Sequence, residues 1–172
     1  MSVLTQLANW SRVKSPWVLH FNAGGCNGCD IEILAALMPR FDAERFGVLL
    51  KATPRHADVI LCTGCVTRQI AARLKRIYDQ TPDPKFVIAV GSCATGGAPF
   101  NGCYCSSGGI DKVIPVDMYI PGCPSRPESI LHGVAQLLEL ARKKVAPVAE
   151  SQVTGEELAQ IGRVPDDGAA KR

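Results

Sequence analysis

DVILCTGCVTRQIAARLKRIYDQTPDPKFVIAVGSC, residues 58–93, contains two apolar runs with a helical pattern between them. The runs at 58–64 and 85–93 are short and run into glycine, which is typical of buried strands. Residues 67–80 between them predict a helix. A strand, a helix and a second strand in this order form a βαβ unit, in which the two strands lie parallel in one sheet.

The same alternation continues on both sides of this unit. Residues 17–21 predict a strand, and residues 31–38 predict a short helix that Pro39 stops. After a loop rich in Gly, Cys and Ser, residues 112–124 predict an extended segment and residues 126–144 an amphipathic helix. The sequence therefore predicts a flavodoxin-like α/β fold with a mostly parallel sheet and helices on both faces.

Composition divides the chain into three parts. The α/β domain is predicted over residues 15–144. Residues 1–14 form an N-terminal extension, whose first dozen residues predict a small amphipathic helix. Residues 145–172 are rich in Ala, Pro, Asp and Gly and form a predicted tail, in which Thr154 and Glu157 predict a capping box.

Charge and hydropathy exclude several classes of protein. The net charge is only +3 and the Lys and Arg residues are scattered, so we expect no nucleic-acid partner. The apolar runs, such as FVIAV at 86–90, fall short of the roughly 18 residues that span a bilayer. The N-terminus lacks the basic and apolar regions of an export signal, which predicts a protein that stays in the cytoplasm.

The chain has eight cysteines, a high number for a protein without an export signal. Disulfides rarely persist in a reducing cytosol, so clustered cysteines there indicate metal ligands or reactive thiols. Because the carboxyl ends of parallel strands meet at one edge of a sheet, cysteines that follow strands are expected to converge. Six of the eight are predicted to do so: Cys26, Cys29, Cys62, Cys65, Cys93 and Cys123.

The spacing of these cysteines favours an iron–sulfur cluster. A zinc ribbon pairs two CxxC units about 15–20 residues apart, whereas 32 residues separate Cys29 from Cys62. A thioredoxin-type dithiol needs one CxxC and leaves the other cysteines unexplained. A cubane cluster needs four thiolates, tolerates wide spacing and often has proline after a ligand, as in Cys123-Pro124. Spacing leaves two ligand sets open: Cys26, Cys29, Cys93 and Cys123, or Cys26 and Cys29 with Cys62 and Cys65.

Several motifs, in order, resemble one protein family: SPWVLHF, GGCNGCDIEILAAL, PRFDAERFG, TPDPKFVIAVGSCATGG and VIPVDMYIPGCPSRPE. Over about residues 15–144 the chain resembles the small subunit of membrane-bound, energy-converting [NiFe] hydrogenases, a family related to the cluster-bearing 20 kDa subunit of respiratory complex I. In that family one [4Fe–4S] cluster takes its ligands from CxxC or adjacent cysteines, from GxC after a strand and from GCP. The resemblance therefore implies four cysteine ligands: Cys26, Cys29, Cys93 and Cys123.

The resemblance also implies a function in electron transfer. The chain would connect a hydrogenase large subunit that carries the Ni–Fe centre with a ferredoxin-like iron–sulfur subunit. Membrane ion-translocating subunits would hold the complex, with this chain as a peripheral subunit on the cytoplasmic side. Complex I relatives have two adjacent cysteines at the first site, so the CxGC spacing of Cys26 and Cys29 favours the hydrogenase branch. Two alternatives stay open: the equivalent subunit of a complex I-like quinone or sulfur-compound reductase without nickel, and a stand-alone metal-binding redox sensor.

Two charged residues are candidates for roles beside the cluster. Glu32, three positions after Cys29 on a predicted helix, is the candidate catalytic residue as a proton relay, and the family resemblance supports this role. The alternative is that it complements the helix dipole, as we interpret Asp30 to do. Arg68, after the loop TGCVT, is predicted to lie near the cluster and raise its reduction potential. The alternative is an exposed helix arginine.

Four cysteines lie outside the ligand set that the resemblance implies. The family usually has TGPVT where this chain has TGCVT, so Cys65 is additional, as is Cys62. Cys103 and Cys105 lie in a segment that varies in the family. We interpret all four as small buried or half-exposed thiols; the alternative is a second metal site or a redox-sensitive pair.

His20, within a strand pattern, is interpreted as structural.

Overall fold

Five parallel strands form the main sheet of the computed structural model, which describes Ser11 and residues 14–145. The strands of the described chain are β1 (Trp17–Asn22), β2 (Leu49–Leu50), β3 (Val59–Thr63), β4 (Val66–Thr67), β5 (Phe86–Val90), β6 (Ser106–Gly108) and β7 (Met118–Ile120). Its helices are α1 (Gly28–Leu37), α2 (Arg68–Gln80), α3 (Ser92–Gly96) and α4 (Pro127–Val145), with 3-10 turns at Ala43–Phe46, Pro54–His56, Ala98–Phe100 and Ile110–Lys112.

Both ends of the chain lie outside the described residues. The predicted N-terminal amphipathic helix falls largely on residues 1–10, and the predicted capping box of Thr154 and Glu157 falls in the tail. Both therefore stay predictions. Within the described part, no helix combines the length and the apolar character that crossing a membrane requires.

The main sheet has the strand order β2-β1-β3-β5-β7, and every neighbouring pair is parallel. When the five strands of this sheet are numbered 1 to 5 in chain order, without β4 and β6, their order is 2-1-3-4-5, as in flavodoxin-like folds. The strands β4 and β6 form a separate antiparallel pair. The predicted α/β fold with a mostly parallel sheet is confirmed.

The helices cover both faces of the sheet because side chains alternate along each strand. On one face, Leu61 of β3 and Ile88 of β5 pack with Leu137 of α4. On the other face, Ile60 of β3 packs with Leu74 of α2, and both side chains are fully buried. Each strand in the middle of the sheet is therefore apolar on both sides, which explains the continuous apolar runs in the sequence.

Two predicted strands are shorter in the structure. The strand predicted over 85–93 ends at Val90, because Gly91 turns the chain with a φ of 89° and α3 follows. The extended segment predicted over 112–124 is in strand form only in β7. Pro115 and Pro121, which have no N–H to donate to a ladder, lie on either side of it.

Cys62 lies inside the core and not at the sheet edge. It is in β3, beside Phe21 of β1 and Ala89 of β5, and its side chain is fully buried on the face that α2 covers. This burial raises the pKa of its thiol to about 12. The prediction that six cysteines converge at the edge is therefore wrong for Cys62, because strand alternation turns its side chain into the core, as it does for Ile60.

The loops after β1 and β3 touch backbone to backbone. The N–H of Ala23 donates to the carbonyl of Thr63 at 2.8 Å. Beyond this bond, a Cβ on Gly64 would overlap the backbone nitrogen of Gly25, and Gly64 has a φ of 78°. Only glycine at this position allows both the left-handed backbone and the close contact.

We expect Gly64→Ala to lower the free energy of unfolding by roughly 2–5 kcal/mol, from left-handed strain and from overlap with the neighbouring loop. Gly102→Ala is the matched control, because Gly102 has a φ of 84° but has nothing within 4 Å of its Cβ position. It should cost only about 1–2 kcal/mol. Urea denaturation of the full-length chain measures both values. Equal losses would show that the contact between the loops contributes nothing.

Candidate metal centre

Four loops at the carboxyl edge of the main sheet surround a recess of about 60 Å³. They follow β1, β3, β5 and β7 in turn. This volume is several times what one water molecule requires. Four cysteines line the recess: Cys26, Cys29, Cys93 and Cys123.

The loop after β1 presents Cys26 and Cys29. The Oδ1 atom of Asn22 accepts the N–H groups of the two glycines that precede Cys26, each at 2.8 Å, and so fixes the turn. Asn27, with a φ of 65°, precedes the first residue of α1. This helix begins three residues before its predicted start, which places Cys29 in its first turn. Cys26 is exposed and Cys29 is half-buried.

Backbone hydrogen bonds join the loop that carries Cys93 to the loop that carries Cys123. The N–H of Ser92 donates to the carbonyl of Gly122 at 2.8 Å, and the Ser92 hydroxyl donates to the same oxygen at 3.1 Å. Cys93 lies in the first turn of α3 and is half-buried, whereas Cys123 is exposed. The relative position of these two cysteines is therefore set by the backbone and does not depend on their side chains.

Gly91 leaves the space that the Cys29 thiol fills. Its N–H donates to the carbonyl of Ile120 at 2.8 Å, which holds the start of the Cys93 loop against β7. A Cβ at this position would lie 2.6 Å from the Sγ atom of Cys29. A side chain here would push the thiol out of its place, so the glycine is a condition for bringing Cys29 beside Cys93.

The cysteines of the recess oppose one another's ionisation. Burial raises the pKa of Cys29, a backbone hydrogen bond at Ser125 lowers it, and the nearby thiolates of Cys123 and Cys26 raise it again, as does the Asp30 carboxylate. The pKa of Cys93 is raised by burial and then by the surrounding cysteine thiolates. A cationic group bound between the thiolates would remove this repulsion. The donor set therefore fits a metal group.

The arrangement fits a cluster better than a single ion. Among the described residues, no three His, Cys, Asp or Glu side chains converge closely enough to bind one metal ion. The four cysteines instead surround a wider space, as the thiolate ligands of a four-iron cluster do. A mononuclear zinc site would need its ligands about 2.0–2.3 Å from one point.

The other four cysteines do not line the recess. Cys65 is buried, and its thiol donates to the carbonyl of Gly24 at 3.4 Å. In its thiolate form it would raise the pKa of Cys93. Cys62 is in the core, and its side chain is turned away from the edge of the sheet. The second ligand set, Cys26 and Cys29 with Cys62 and Cys65, would need this side chain at the recess. The remaining two, Cys103 and Cys105, are exposed before β6.

Glu32 and Arg68 also lie outside the lining of the recess. Glu32 is half-buried on α1, one turn from Cys29. Arg68 is exposed at the start of α2, and its backbone N–H donates to the carbonyl of Cys105 at 3.0 Å. The predicted effect of Arg68 on the reduction potential therefore stays a prediction.

A polar network centred on Asp30 lies beside the recess, and no motif in the sequence predicted it. The Oδ1 atom of Asp30 accepts the Thr63 hydroxyl at 2.5 Å and His20 Nε2 at 2.9 Å, and Asn22 Nδ2 donates to the other carboxylate oxygen. Burial raises the pKa of Asp30, but the hydrogen bonds from Thr63 and Asn22 and the charge of His20 outweigh it, so the pKa is lowered. The only sequence signal was two polar residues, His20 and Asn22, on the same side of one strand.

Known proteins match this chain over most of its length. Residues 26–137 match the family model of the NADH ubiquinone oxidoreductase 20 kDa subunit. Over 144 residues the chain is 56% identical to a probable membrane-bound hydrogenase subunit of Pyrococcus furiosus, with 84% of each chain covered. It is 49% identical over 138 residues to an NADH-quinone oxidoreductase subunit of Bacteroides thetaiotaomicron, covering 80% of this chain and 68% of that one.

A solved structure agrees with these relatives. A chain of the membrane-bound sulfane sulfur reductase, an archaeal respiratory membrane complex, matches with a TM-score of 0.70 at 40% identity. The match covers 80% of this chain and 76% of that one. The protein therefore belongs to the family of the 20 kDa subunit of NADH ubiquinone oxidoreductase, as its sequence motifs predicted.

Proposed function

We propose that this chain is the electron-transfer small subunit of a membrane-bound [NiFe] hydrogenase and that it carries one [4Fe–4S] cluster. The observation that carries the proposal is the convergence of four cysteines from separate loops on one recess. The identity of 56% to a probable membrane-bound hydrogenase subunit favours the hydrogenase over other complexes of the family. The proposed ligands are Cys26, Cys29, Cys93 and Cys123.

A cluster held in this way would supply one-electron transfer. The part of this chain is to hold the four thiolates in place and to control access to them. A backbone hydrogen bond at Ser125 stabilises the thiolate of Cys29, and such bonds to ligand sulfurs are one way in which proteins tune a cluster's potential. Glu32 is the proposed proton relay, since its half-buried carboxylate lies one helical turn from Cys29. Near-cluster tuning by Arg68 also stays a proposal, although its side chain is exposed.

The partner that holds the Ni–Fe centre is proposed to dock on α1. Three large apolar residues lie exposed along one side of this helix and at its C-terminal cap: Ile31 (64% exposed), Leu34 (49%) and, directly after the helix, Met38 (59%). Their spacing places them on one helical face, which begins beside Cys29. An exposed apolar stripe of this kind is typical of a protein interface. A large subunit packed on it would lie next to the recess, at the short range that electron transfer requires.

The remaining partners follow from the same assignment. A ferredoxin-like iron–sulfur subunit would exchange electrons with the cluster, and membrane ion-translocating subunits would anchor the complex. The chain would be a peripheral subunit on the cytoplasmic side of the membrane.

The second candidate function is the equivalent subunit of a complex I-like quinone or sulfur-compound reductase that lacks nickel. The match to a chain of the membrane-bound sulfane sulfur reductase, at 40% identity, favours it. So does the identity of 49% to an NADH-quinone oxidoreductase subunit. The two candidates share the proposed cluster and differ only in the large subunit.

We expect the purified complex to contain nickel in about equal amount to this chain, because the proposed large subunit holds one Ni–Fe centre. Elemental analysis of the complex, with iron measured in the same sample, gives both values. A complex with iron but without nickel would contradict the hydrogenase assignment and favour the reductase.

Cys93→Ser and Cys123→Ser should each abolish the electron paramagnetic resonance (EPR) signal of the reduced [4Fe–4S] cluster, because each removes one of four thiolate ligands. Cys62→Ala and Cys65→Ala are the matched controls, since neither side chain lines the recess. Both should keep the signal in the purified complex. Loss of the signal in the Cys65 variant, with Cys93→Ser retaining it, would show that the ligand assignment is wrong.

Gly91→Ala should lower the iron content per chain, because the new Cβ would lie 2.6 Å from the Cys29 Sγ atom and Gly91 has a φ of 89°. Gly96→Ala, on the same short helix region, is the control, since nothing lies within 4 Å of its Cβ position. Iron and acid-labile sulfide are measured for both. Full occupancy in Gly91→Ala would show that the tight contact with Cys29 is not needed to hold the cluster.

A further inference from the structure

Ser125 is a buried polar residue beside the four cysteines, in the loop that joins β7 to α4. It follows Cys123 by two residues, and only 1% of its surface is exposed. Burying a hydroxyl costs free energy unless the group is hydrogen-bonded. The hydrogen bonds of Ser125 therefore determine how this loop is folded.

The hydroxyl of Ser125 ties the loop back onto the end of β7. It donates to the carbonyl of Pro121 at 3.1 Å and lies 3.4 Å from the carbonyl of Ile120. The Ile120 carbonyl also accepts the N–H of Gly91, at 2.8 Å. The turn is tight, because a Cβ on Gly122 would lie 2.5 Å from the Cα atom of Ser125. The hydroxyl and the tight turn together fix where the backbone of Ser125 lies.

The backbone of Ser125 contacts the sulfur of a cysteine from another loop. A backbone hydrogen bond at Ser125 stabilises the thiolate of Cys29. A thiolate only accepts hydrogen bonds and the backbone donates through its N–H, so the N–H of Ser125 points at the sulfur. Cys29 follows β1 and Ser125 follows β7, and β3 and β5 lie between these two strands in the sheet. The bond therefore joins the first of the four loops around the recess to the last.

We propose that Ser125 is a positioning residue of the metal centre, whose buried hydroxyl holds its own backbone N–H on the sulfur of Cys29. This inference rests on the proposed function, since it concerns a cluster that Cys29 helps to hold. The hydroxyl acts through the turn, because both of its hydrogen-bond partners are backbone carbonyls. Without it, the turn could move and the N–H would lose its alignment with the sulfur.

An N–H group at a ligand sulfur favours the reduced form of a cluster. Reduction places more negative charge on the sulfurs, so a hydrogen bond donated to them is stronger in the reduced state. A weaker bond at Cys29 therefore lowers the reduction potential. A serine that only stabilised the fold would lower the stability of the chain without this effect on the potential.

The test is a redox titration of the purified complex at one fixed pH, followed by the EPR signal of the reduced centre. Ser125→Ala removes the hydroxyl and keeps the N–H and all four cysteines. We expect the centre to be retained and its reduction equilibrium to shift towards the oxidised form by about 2- to 10-fold, the range that one hydrogen bond contributes. Ser125→Thr keeps a hydroxyl and should keep the wild-type potential. An unchanged potential in Ser125→Ala, or an equal shift in Ser125→Thr, would overturn the proposal.

Thr81 provides a matched control for the loss of a buried hydroxyl. It is 2% exposed, and its hydroxyl donates to the carbonyl of Ile77 at 2.9 Å, at the C-terminal end of α2. Thr81→Val removes a bond of the same kind near the amino edge of the sheet, away from the recess, and should leave the potential as it is in the wild type. A shift in this variant as large as in Ser125→Ala would show that the potential only follows the stability of the chain, and the role of Ser125 would be refuted.

A second measurement covers the case in which Ser125→Ala does not assemble. In a wild-type complex whose serines are isotopically labelled at nitrogen, the N–H on Cys29 should give a magnetic coupling to the reduced centre that pulsed EPR detects. Ser92, which lines the recess, has its N–H on the carbonyl of Gly122 instead. The absence of any coupling to serine nitrogen would overturn the proposal.

Failure of the proposed function is distinguishable from failure of this inference. A wild-type complex without any reducible iron–sulfur signal would refute both. A reducible centre whose potential is the same in Ser125→Ala as in the wild type would refute the role of Ser125 alone.

Discussion

The contact between the loops after β1 and β3 is the constraint on which the recess with its four cysteines depends. Two glycine backbones, at Gly25 and Gly64, meet at a separation that any side chain would prevent. This contact holds the start of α1 over the ends of the central strands. The bond from Thr63 to Asp30 and the position of Cys29 beside Gly91 both need that placement. Burial of apolar side chains stabilises the sheet, whereas the close contact between these two loop backbones determines how the residues at its edge are arranged.

The main sheet was predictable because its signals are local. The apolar runs at 58–64 and 85–93 and the helix between them specify a βαβ unit without knowledge of the rest of the chain. Cys62 was misplaced because it was grouped with the loop after the strand, although it lies within the apolar run 58–64. Side chains inside a central strand point to the helices on one face of the sheet or the other, and only residues at the end of the strand or beyond it reach the edge. In the structure the strand continues to Thr63, and Cys62 is buried.

The site was predictable only in part, for a different reason. The positions of the cysteines after predicted strands indicated that they meet at one edge of the sheet, but their spacing left two ligand sets open. The resemblance to the family implied one of these two sets. The Asp30 network joins residues 10 and 33 positions apart, and no local pattern marks such a pair. A lone aspartate in the first turn of a helix has an adequate explanation in the helix dipole. Its partners become visible only when the register of β1 against β3 is known.

The recess is open on one side, and this has a consequence for how the complex is built. Cys26 and Cys123 are exposed in the chain by itself, whereas Cys29 and Cys93 are half-buried. A preformed cluster carried by a delivery protein can therefore enter from solvent and meet the two outer thiols first. Under the proposed docking, a large subunit seated on α1 would close this entrance. In a complex assembled in this way, iron would be loaded before the subunits associate, and the shape of this one subunit would give maturation a fixed order.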